Sequence, residues 1–516
     1  MRRMKTRIAA CLALFVCSAS ALAQDVLVVA PKEFDASLAA WKKHREKQGL
    51  AVAVREPGAD VGATVRDAYA KSGKKLRFVV LVGDVEKVPC AIATRQAHGP
   101  IDGVEPDPDI ATDATFADVD GDGVPDLSLG RVPADTAEEA VDYFDRVIAY
   151  ETDTDFGEWR RKLNVVAGTG GFGPMVDMAL EKLSNDLLSR VSPAVDVTMT
   201  YANPFSAYCP PPAEFADYTV RRWNEGALVV AYVGHGSSRN VDTCRSGKDS
   251  YPILGMDQVK LVAAQHGAPI SIFVACSTGH LDGERDCLAE EMVKRPKGPI
   301  AVIASSRVSS PYSNGIVAKE MLDALYVGDA PTVGEMLTQM KKRILDAPPG
   351  DAMREQLEKL AAAMYEKSPE KRRLDRADHL ALYNLFGDPC IRIARPAPMK
   401  VEAPATIAPG AALHVTGHAE FDGTALVELV RRHEPPPKLP PGGKKTADDY
   451  RAAYQAANSH GVAFVEMAVK KGDFAADIAV PADATPGGAA VRVFVTGKAA
   501  SSAGGAELTI APAAPK

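Results

Sequence analysis

Past its first two dozen residues, the sequence has no apolar run of about 18 residues, the length a helix needs to cross a bilayer. No stable membrane insertion of the body of the chain is therefore expected. A basic excess is also missing: 60 Lys and Arg face 67 Asp and Glu, for a net charge of −7, which leaves no electrostatic case for nucleic-acid binding. The glycine-rich stretch Gly168-Thr-Gly-Gly-Phe-Gly173 is not followed by a Walker lysine, and its spacing fits no nucleotide fingerprint. It reads as a loop beside the active edge rather than a phosphate cradle. A long N-terminal prodomain is not expected either, because Gln24 leads almost directly into the first apolar run.

Length and composition bound what is present. A chain of 516 residues is too long for one core, and two to four domains are expected. Hydrophobic content of 46% and charged content of 25% are those of an ordinary globular protein. Residues 1–23 read as a secretory signal: a basic start, an apolar stretch from Ile8 to Val16, and Ala21-Leu-Ala23 before a cleavage site. The mature protein is expected to be secreted or periplasmic. Of eight cysteines, Cys11 and Cys17 fall in the signal, leaving Cys90, Cys209, Cys244, Cys276, Cys287 and Cys390. Export permits disulfides. Cys244 and Cys287 are the candidate pair, since each lies shortly after one of the two strands considered next.

Those two strands organise the chain. Ala227-Leu-Val-Val-Ala-Tyr-Val-Gly-His-Gly236 and Pro269-Ile-Ser-Ile-Phe-Val-Ala-Cys-Ser277 are apolar, partly β-branched runs, each ending at a reactive side chain. Such runs suit strands buried on both faces of a parallel sheet, where ligands bind beyond the carboxyl ends. His235 and Cys276 would then share one edge. A thiol needs a base to become a thiolate near neutral pH, and imidazole has a suitable pKa. A strand at Ile300–Ala304 should bring the loop Ser305–Tyr312 to the same edge.

The rest of the chain supports α/β organisation. Strands at 25–30, 50–54 and 78–84 alternate with helices at 35–48 and 61–71, implying a parallel sheet in residues 24–156. A helix follows from Asp135 to Glu151. A second α/β unit covers 157–396, with strands at 163–167 and 195–199, a helix at 175–190, and a long helical region from Asn314 to about Tyr365 that breaks near Pro348-Pro349. Residues 397–516 shift to short alternating runs that suit a small β-sandwich, interrupted by the Pro-rich insertion Glu434–Gly443. Asp118, Asp120, Asp122 and Asp126 alternate with glycines like a calcium loop, although the twelfth position is Leu129, so a complete EF-hand is excluded. No cofactor is expected for catalysis, and calcium would be structural.

The motifs Tyr232-Val-Gly-His-Gly-Ser237, Phe273-Val-Ala-Cys276, Val302-Ile-Ala-Ser-Ser306, Leu129-Gly-Arg-Val-Pro133 and Leu385-Phe-Gly-Asp-Pro389 resemble those of the gingipain-type cysteine peptidases. The resemblance covers roughly Asp25 to Val480. It implies a two-part, caspase-like catalytic unit followed by an immunoglobulin-like domain, with His235 as base and Cys276 as nucleophile toward a protein or peptide substrate. Backbone N–H groups around Gly236 and the Cys276–Ser277 turn would hold the oxyanion. Two positions depart from the family pattern. Its histidine-orienting acid matches Thr169 here, so Asp242 or Asp282 is the candidate substitute. The acid that receives a basic P1 side chain aligns with Asp177, which equally suits an ordinary helix-start acid. A secreted cysteine endopeptidase is the leading expectation. A binding or surface module with weakened catalysis is the alternative, and acyl transfer to an amine would use the same thioester.

Overall fold

The structure is a computed structural model that describes residues 24–97, 99–101, 103–170, 190–432 and 445–512. The signal segment, Asp177 and the Pro-rich insertion lie outside the described residues, as does all but Arg190 of the helix expected at 175–190.

The apolar runs form the strands of one large sheet. They are β1 (Val26–Val29), β2 (Val52–Arg55), β3 (Phe78–Val82), β4 (Ser128–Val132), β5 (Lys162–Ala167), β6 (Asp196–Tyr201), β7 (Val229–Val233), β8 (Ile270–Val274), β9 (Ala301–Ser305) and β10 (Tyr383–Phe386). The order is β2-β1-β3-β4-β10-β9-β8-β7-β5-β6. Every residue of β1, β3, β8 and β9 is buried, as expected for strands covered on both faces.

The sheet is not parallel throughout. β10 pairs parallel with β4 but antiparallel with β9, so two parallel blocks run in opposite directions. The cause lies in the helices between β9 and β10. The last of them ends at Leu382, whose carbonyl accepts from Ser306 N just beyond β9 (2.9 Å). The chain therefore re-enters the sheet at the edge it had left, and β10 can only run back.

The expected long helical region is three helices, and a fourth follows. Pro311–Tyr326 begins behind the Ser310 cap, Val333–Leu345 behind Thr332, Ala352–Met364 behind Asp351, and Pro369–Leu382 behind Ser368. Each cap side chain accepts a backbone N–H that the first helical turn leaves unpaired. Near the N-terminus, the helix Ala39–Lys47 starts later than expected, because residues 35–38 continue the turns that open at the 3₁₀ turn Lys32–Phe34: Asp35 N donates to Lys32 O and Ser37 N to Phe34 O. Thr136 caps the helix Ala137–Thr152 by accepting from Glu139 N.

A second β-rich region follows Pro396. One sheet carries the long strands Gly423–Arg431, Gly461–Val469, Gly487–Gly497 and Ser501–Ile510, and a smaller one carries Ala412–Ala419 and Gly472–Ala479. The two enclose a core of their own that includes Leu413, Val415, Val427, Leu429, Ile478 and Val493. An unexpected helix, Ala447–Asn458, packs against edge strand β6 of the large sheet. Arg492 adds an ionic link between the regions, bonding Glu428 (2.7 and 3.0 Å) on its own sheet and Asp196 (2.8 Å) on β6.

Candidate active site

β7 and β8 are hydrogen-bonded neighbours, with Tyr232 opposite Phe273 and Val233 opposite Val274. His235 and Cys276 each follow two residues past these last pairs, so both stand at one edge of the sheet. Gly236 fits against the Cys276 turn. A Cβ there would lie 2.7 Å from the Cys276 carbonyl and 2.8 Å from Thr278 Cγ2, so no larger residue lets the strand ends come this close. Ser277 takes a left-handed conformation (φ 51°), which costs a non-glycine residue roughly 1 kcal/mol or more. Its N–H donates to the Arg307 carbonyl at 3.0 Å and is not available to a substrate. Ser277 is thus excluded as an oxyanion donor, which corrects the sequence expectation. Among the described residues, no acceptor is present for the Gly236 and Cys276 N–H groups.

The turn bearing His235 is fixed from below. Tyr232, fully buried, donates its hydroxyl to the His235 carbonyl (2.9 Å) and accepts from Asp242 N (3.4 Å). An antiparallel bridge joins Gly236 to Val241, and Asp242 N donates to His235 O at 3.2 Å. His235 and Asp242 are therefore directly opposed across two antiparallel segments, which puts their side chains on one face. Asp242 Oδ1 accepts from Thr243 N (2.8 Å), while Oδ2 is buried and has no hydrogen-bond partner among the described residues. Burial pushes this carboxyl above the usual carboxylate range, and the Thr243 N–H and the charges of His235 and Arg245 oppose the shift.

The other candidates are engaged elsewhere. Thr169 donates its hydroxyl to the carbonyls of Ala202 and Thr243 and braces the β5 end against the segment after Asp242. Asp282 forms a two-pronged pair with Arg307 (2.7 and 2.6 Å). Burial alone would raise the Asp282 pKa, but the hydrogen bond and charge of Arg307 bring it below the usual range. Of the two acids suggested by the sequence, Asp242 stands beside the histidine and Asp282 is spent on Arg307.

The loop after β9 reaches the same edge and contributes contacts that the sequence left unassigned. Ser309 N and Oγ lie 3.4 and 3.7 Å from Cys276 Sγ, and Ser309 O lies 3.5 Å from it. The only sequence signal was the position of this loop after a third buried strand. A cavity of about 450 Å³ is lined by His235, Gly236, Cys276, Ser309 and the helix at 311–326. No carboxylate is among its described lining residues.

Elsewhere, Asp118, Asp120 and Asp126 each bring a carboxylate oxygen within 4.8 Å of the others. Asp122 does not join them and accepts instead from Val124 N. The expected Cys244–Cys287 bridge is absent: all six described cysteines are free thiols. Cys244 lies in hydrogen-bond contact with Cys209, and Cys287 begins the helix Leu288–Lys294, bonded to Glu290. Both residues lie in the same core, but each is engaged by a different partner, which position along the chain alone could not reveal.

Fold and site together define an α/β protein with imidazole and thiol at neighbouring strand ends of a largely parallel sheet. The chain belongs to peptidase family C25, whose model matches residues 20–394. It is 23% identical over 432 residues to gingipain R2 of Porphyromonas gingivalis, covering 78% of this chain and 52% of that protein. It is 24% identical over 295 residues to Lys-gingipain of the same species, covering 54% of this chain and 15% of that protein. The chain thus spans about half the length, or less, of these curated relatives. Its fold is similar to the crystal structure of the Arg-specific cysteine proteinase gingipain R, with a TM-score of 0.55 and 20% identity over 95% of this chain and 98% of that one. Among the described residues, no helix is long and apolar enough to cross a membrane.

Proposed function

We propose that the chain is an exported cysteine endopeptidase acting through a Cys276–His235 dyad. His235 takes the Cys276 thiol proton, and the thiolate attacks a peptide carbonyl. The tetrahedral oxyanion is held by the Gly236 and Cys276 N–H groups, and collapse expels the amine, which takes its proton from His235. Water, deprotonated by His235, then releases the acid from the thioester. Asp242 orients His235 and stabilises the imidazolium, the role for which Thr169 has no carboxylate. The observation that carries this reading is the pairing of β7 with β8, which brings a thiol and an imidazole to one edge beside N–H groups that have no acceptor in the described structure.

A preference for basic P1 residues is supported by the specificities in the names of the relatives, with Asp177 as the candidate acid. Asp118, Asp120 and Asp126 would hold a structural calcium ion. Residues 1–23 would direct export, and residues 397–516 would form an immunoglobulin-like domain bracing the catalytic unit.

The deciding experiment exposes the chain from Gln24 to Lys516 to a mixed fluorogenic peptide library, beside Cys276→Ala. Cleavage that vanishes in the variant supports the peptidase, and its P1 profile tests Asp177. If the unsubstituted chain leaves every peptide intact under reducing conditions with calcium, the reading gives way to the binding module.

A further inference from the structure

Cys276 has a polar neighbour in the loop after β9. Ser309, nearly fully buried, surrounds the sulfur with three atoms: N at 3.4 Å, O at 3.5 Å and Oγ at 3.7 Å. Behind Ser309 stands a chain of hydrogen bonds whose direction is fixed from its far end. The Tyr383 hydroxyl donates to Asn314 Oδ1 at 2.7 Å. Asn314 Nδ2 donates to Ser309 Oγ at 2.8 Å. An amide nitrogen can only donate, so Ser309 Oγ is the acceptor in that bond. Its own hydrogen is left for Cys276 Sγ, at 3.7 Å, or for the Tyr383 oxygen, the other group it bonds, and a charged sulfur is the stronger acceptor of the two. Tyr383 is fully buried at the start of β10; burial and the Cys276 charge push its phenol well above the usual range against an opposing hydrogen bond from Ser309, so it remains a donor toward Asn314.

We propose that the buried relay Tyr383–Asn314–Ser309 supplies a directed O–H donor to Cys276 Sγ and so stabilises the thiolate of the dyad. In the resting thiol, the S–H proton goes to Ser309 O. When the S–H rotates to His235 and gives up that proton, the sulfur becomes an acceptor only, and the Ser309 O–H turns toward its charge beside the Ser309 N–H that already donates to it (3.4 Å). No bond other than S–H is broken. Donors to an ionised acceptor are roughly twice as strong as those to a neutral one, so the relay favours the thiolate over the thiol. Ser309 touches the reacting atom, whereas Asn314 and Tyr383 are positioning residues. The relay assembles only because β10 runs back beside β9: it brings Tyr383 to the active edge, opposite Ser305.

This inference rests on the proposed dyad, and the test separates the two. The Gln24–Lys516 chain is alkylated with iodoacetamide, and the rate at Cys276 is read by peptide mass spectrometry across pH. In His235→Ala, slower labelling supports the dyad. In Ser309→Ala, which keeps the backbone N–H, the rate at pH 7 should fall about tenfold, the equivalent of one pKa unit. Raising the pH by about one unit should restore it. Tyr383→Phe should move the profile the same way by less, and Ser309→Thr should retain the unsubstituted rate. A merely structural loss would lower the rate at every pH. If Ser309→Ala keeps the unsubstituted profile while His235→Ala is slow, the relay is overturned and the dyad stands. If His235→Ala also labels at the unsubstituted rate, the dyad reading falls and the relay falls with it.

Discussion

Asn458 pairs with Met199 as a neighbouring strand would. Its Oδ1 accepts from Met199 N at 2.8 Å, and its Nδ2 donates to Met199 O at 3.0 Å. Met199 lies on β6, the edge strand of the large sheet, and an unprotected edge is a site of unwanted strand addition. Tyr454, one helical turn earlier, adds a 2.7 Å bond to Thr200 Oγ1. The helix Ala447–Asn458 thus ties the C-terminal β region to the catalytic sheet through groups that a strand would otherwise satisfy.

Replacing Asn458 with Ala should leave both Met199 backbone groups without this partner. A loss of about 1–3 kcal/mol is expected for stranded, partly buried polar groups. Hydrogen exchange at the Met199 amide should accelerate by a factor matching that loss. Unchanged protection in the variant would mean that the amide pairing contributes nothing to the junction.

The second prediction concerns a motif that the sequence marked only by resemblance. Asp388 of Leu385-Phe-Gly-Asp-Pro389 is fully buried and accepts from Trp41 Nε1 (2.6 Å), Arg45 Nη2 (2.6 Å) and Cys390 N (2.8 Å). It clamps the end of β10 onto the helix at 39–47. Asp388→Ala would leave the buried Arg45 guanidinium with Glu151 alone as its ionic partner. Breaking such a pair costs about 3–5 kcal/mol, and the urea midpoint should fall accordingly. A midpoint within experimental error of the unsubstituted chain would show that the clamp carries no stability.

These two contacts show what was legible in the sequence and what was not. The strand runs ending at His235 and Cys276 were readable because burial on both faces forces continuous apolar stretches. The loop after Ile300–Ala304 was readable for the same reason. Asn458 was not: helix 447–458 is polar on its outer side, and its docking surface is an edge strand far away in sequence. The reversal of β10 was also hidden, because apolar runs carry no strand direction. Nor could residue types distinguish Asp242 from Asp282. The difference lies in Arg307, which captures one of them, and in the Gly236–Val241 bridge, which sets the other opposite His235. The Cys244–Cys287 pairing failed for a related reason, since similar distances past two adjacent strands do not fix where the following loops go.

Gly236→Ala should damage the site while sparing the fold. The added Cβ meets the Cys276 carbonyl at 2.7 Å, and a backbone atom cannot swing aside as a flexible side chain would. The His235 and Cys276 turns must separate. Displacements of about 1 Å commonly cost on the order of 10²-fold in rate. Peptide cleavage should fall by that order with the melting temperature nearly unchanged. A variant as active as the unsubstituted chain would show that this close approach is not needed for chemistry.

Calcium gives a fourth outcome. Asp118 and Asp126 carboxylates already order the loop by accepting from Gly121, Gly123 and Val119 N. An ion bound only by the folded loop should raise the melting temperature, and a concentration 100-fold above its dissociation constant should add about 2.7 kcal/mol. Asp120→Asn combined with Asp126→Asn should abolish the rise without lowering the melting temperature in chelator. A rise that survives the double substitution would move the site elsewhere.

Glu290 sets a pH dependence of stability whose sign is fixed by burial. The side chain is 2% exposed, accepts from Cys287 N at 2.8 Å through Oε2, and leaves Oε1 without a partner among the described residues. Burial, with the Asp84 charge adding to it, pushes its pKa up to about 8. The unfolded value is about 4.3, so between roughly pH 4 and pH 8 the folded chain holds a proton that the unfolded chain has lost. This group therefore contributes stability fully at low pH, and the contribution is lost as pH rises through that window. Glu290→Gln keeps the shape and cannot ionise. It should be more stable than the unsubstituted chain at pH 8, by on the order of 4 kcal/mol, and the gap should narrow to about 1 kcal/mol at pH 5. Burial also raises the Asp84 pKa, but Asp84 is present in both proteins, so most of its effect cancels in the difference. Urea unfolding of the two chains at pH 5, 6.5 and 8 reads the gap directly. A difference that stays constant across the three pH values would assign the effect to packing rather than to a buried proton.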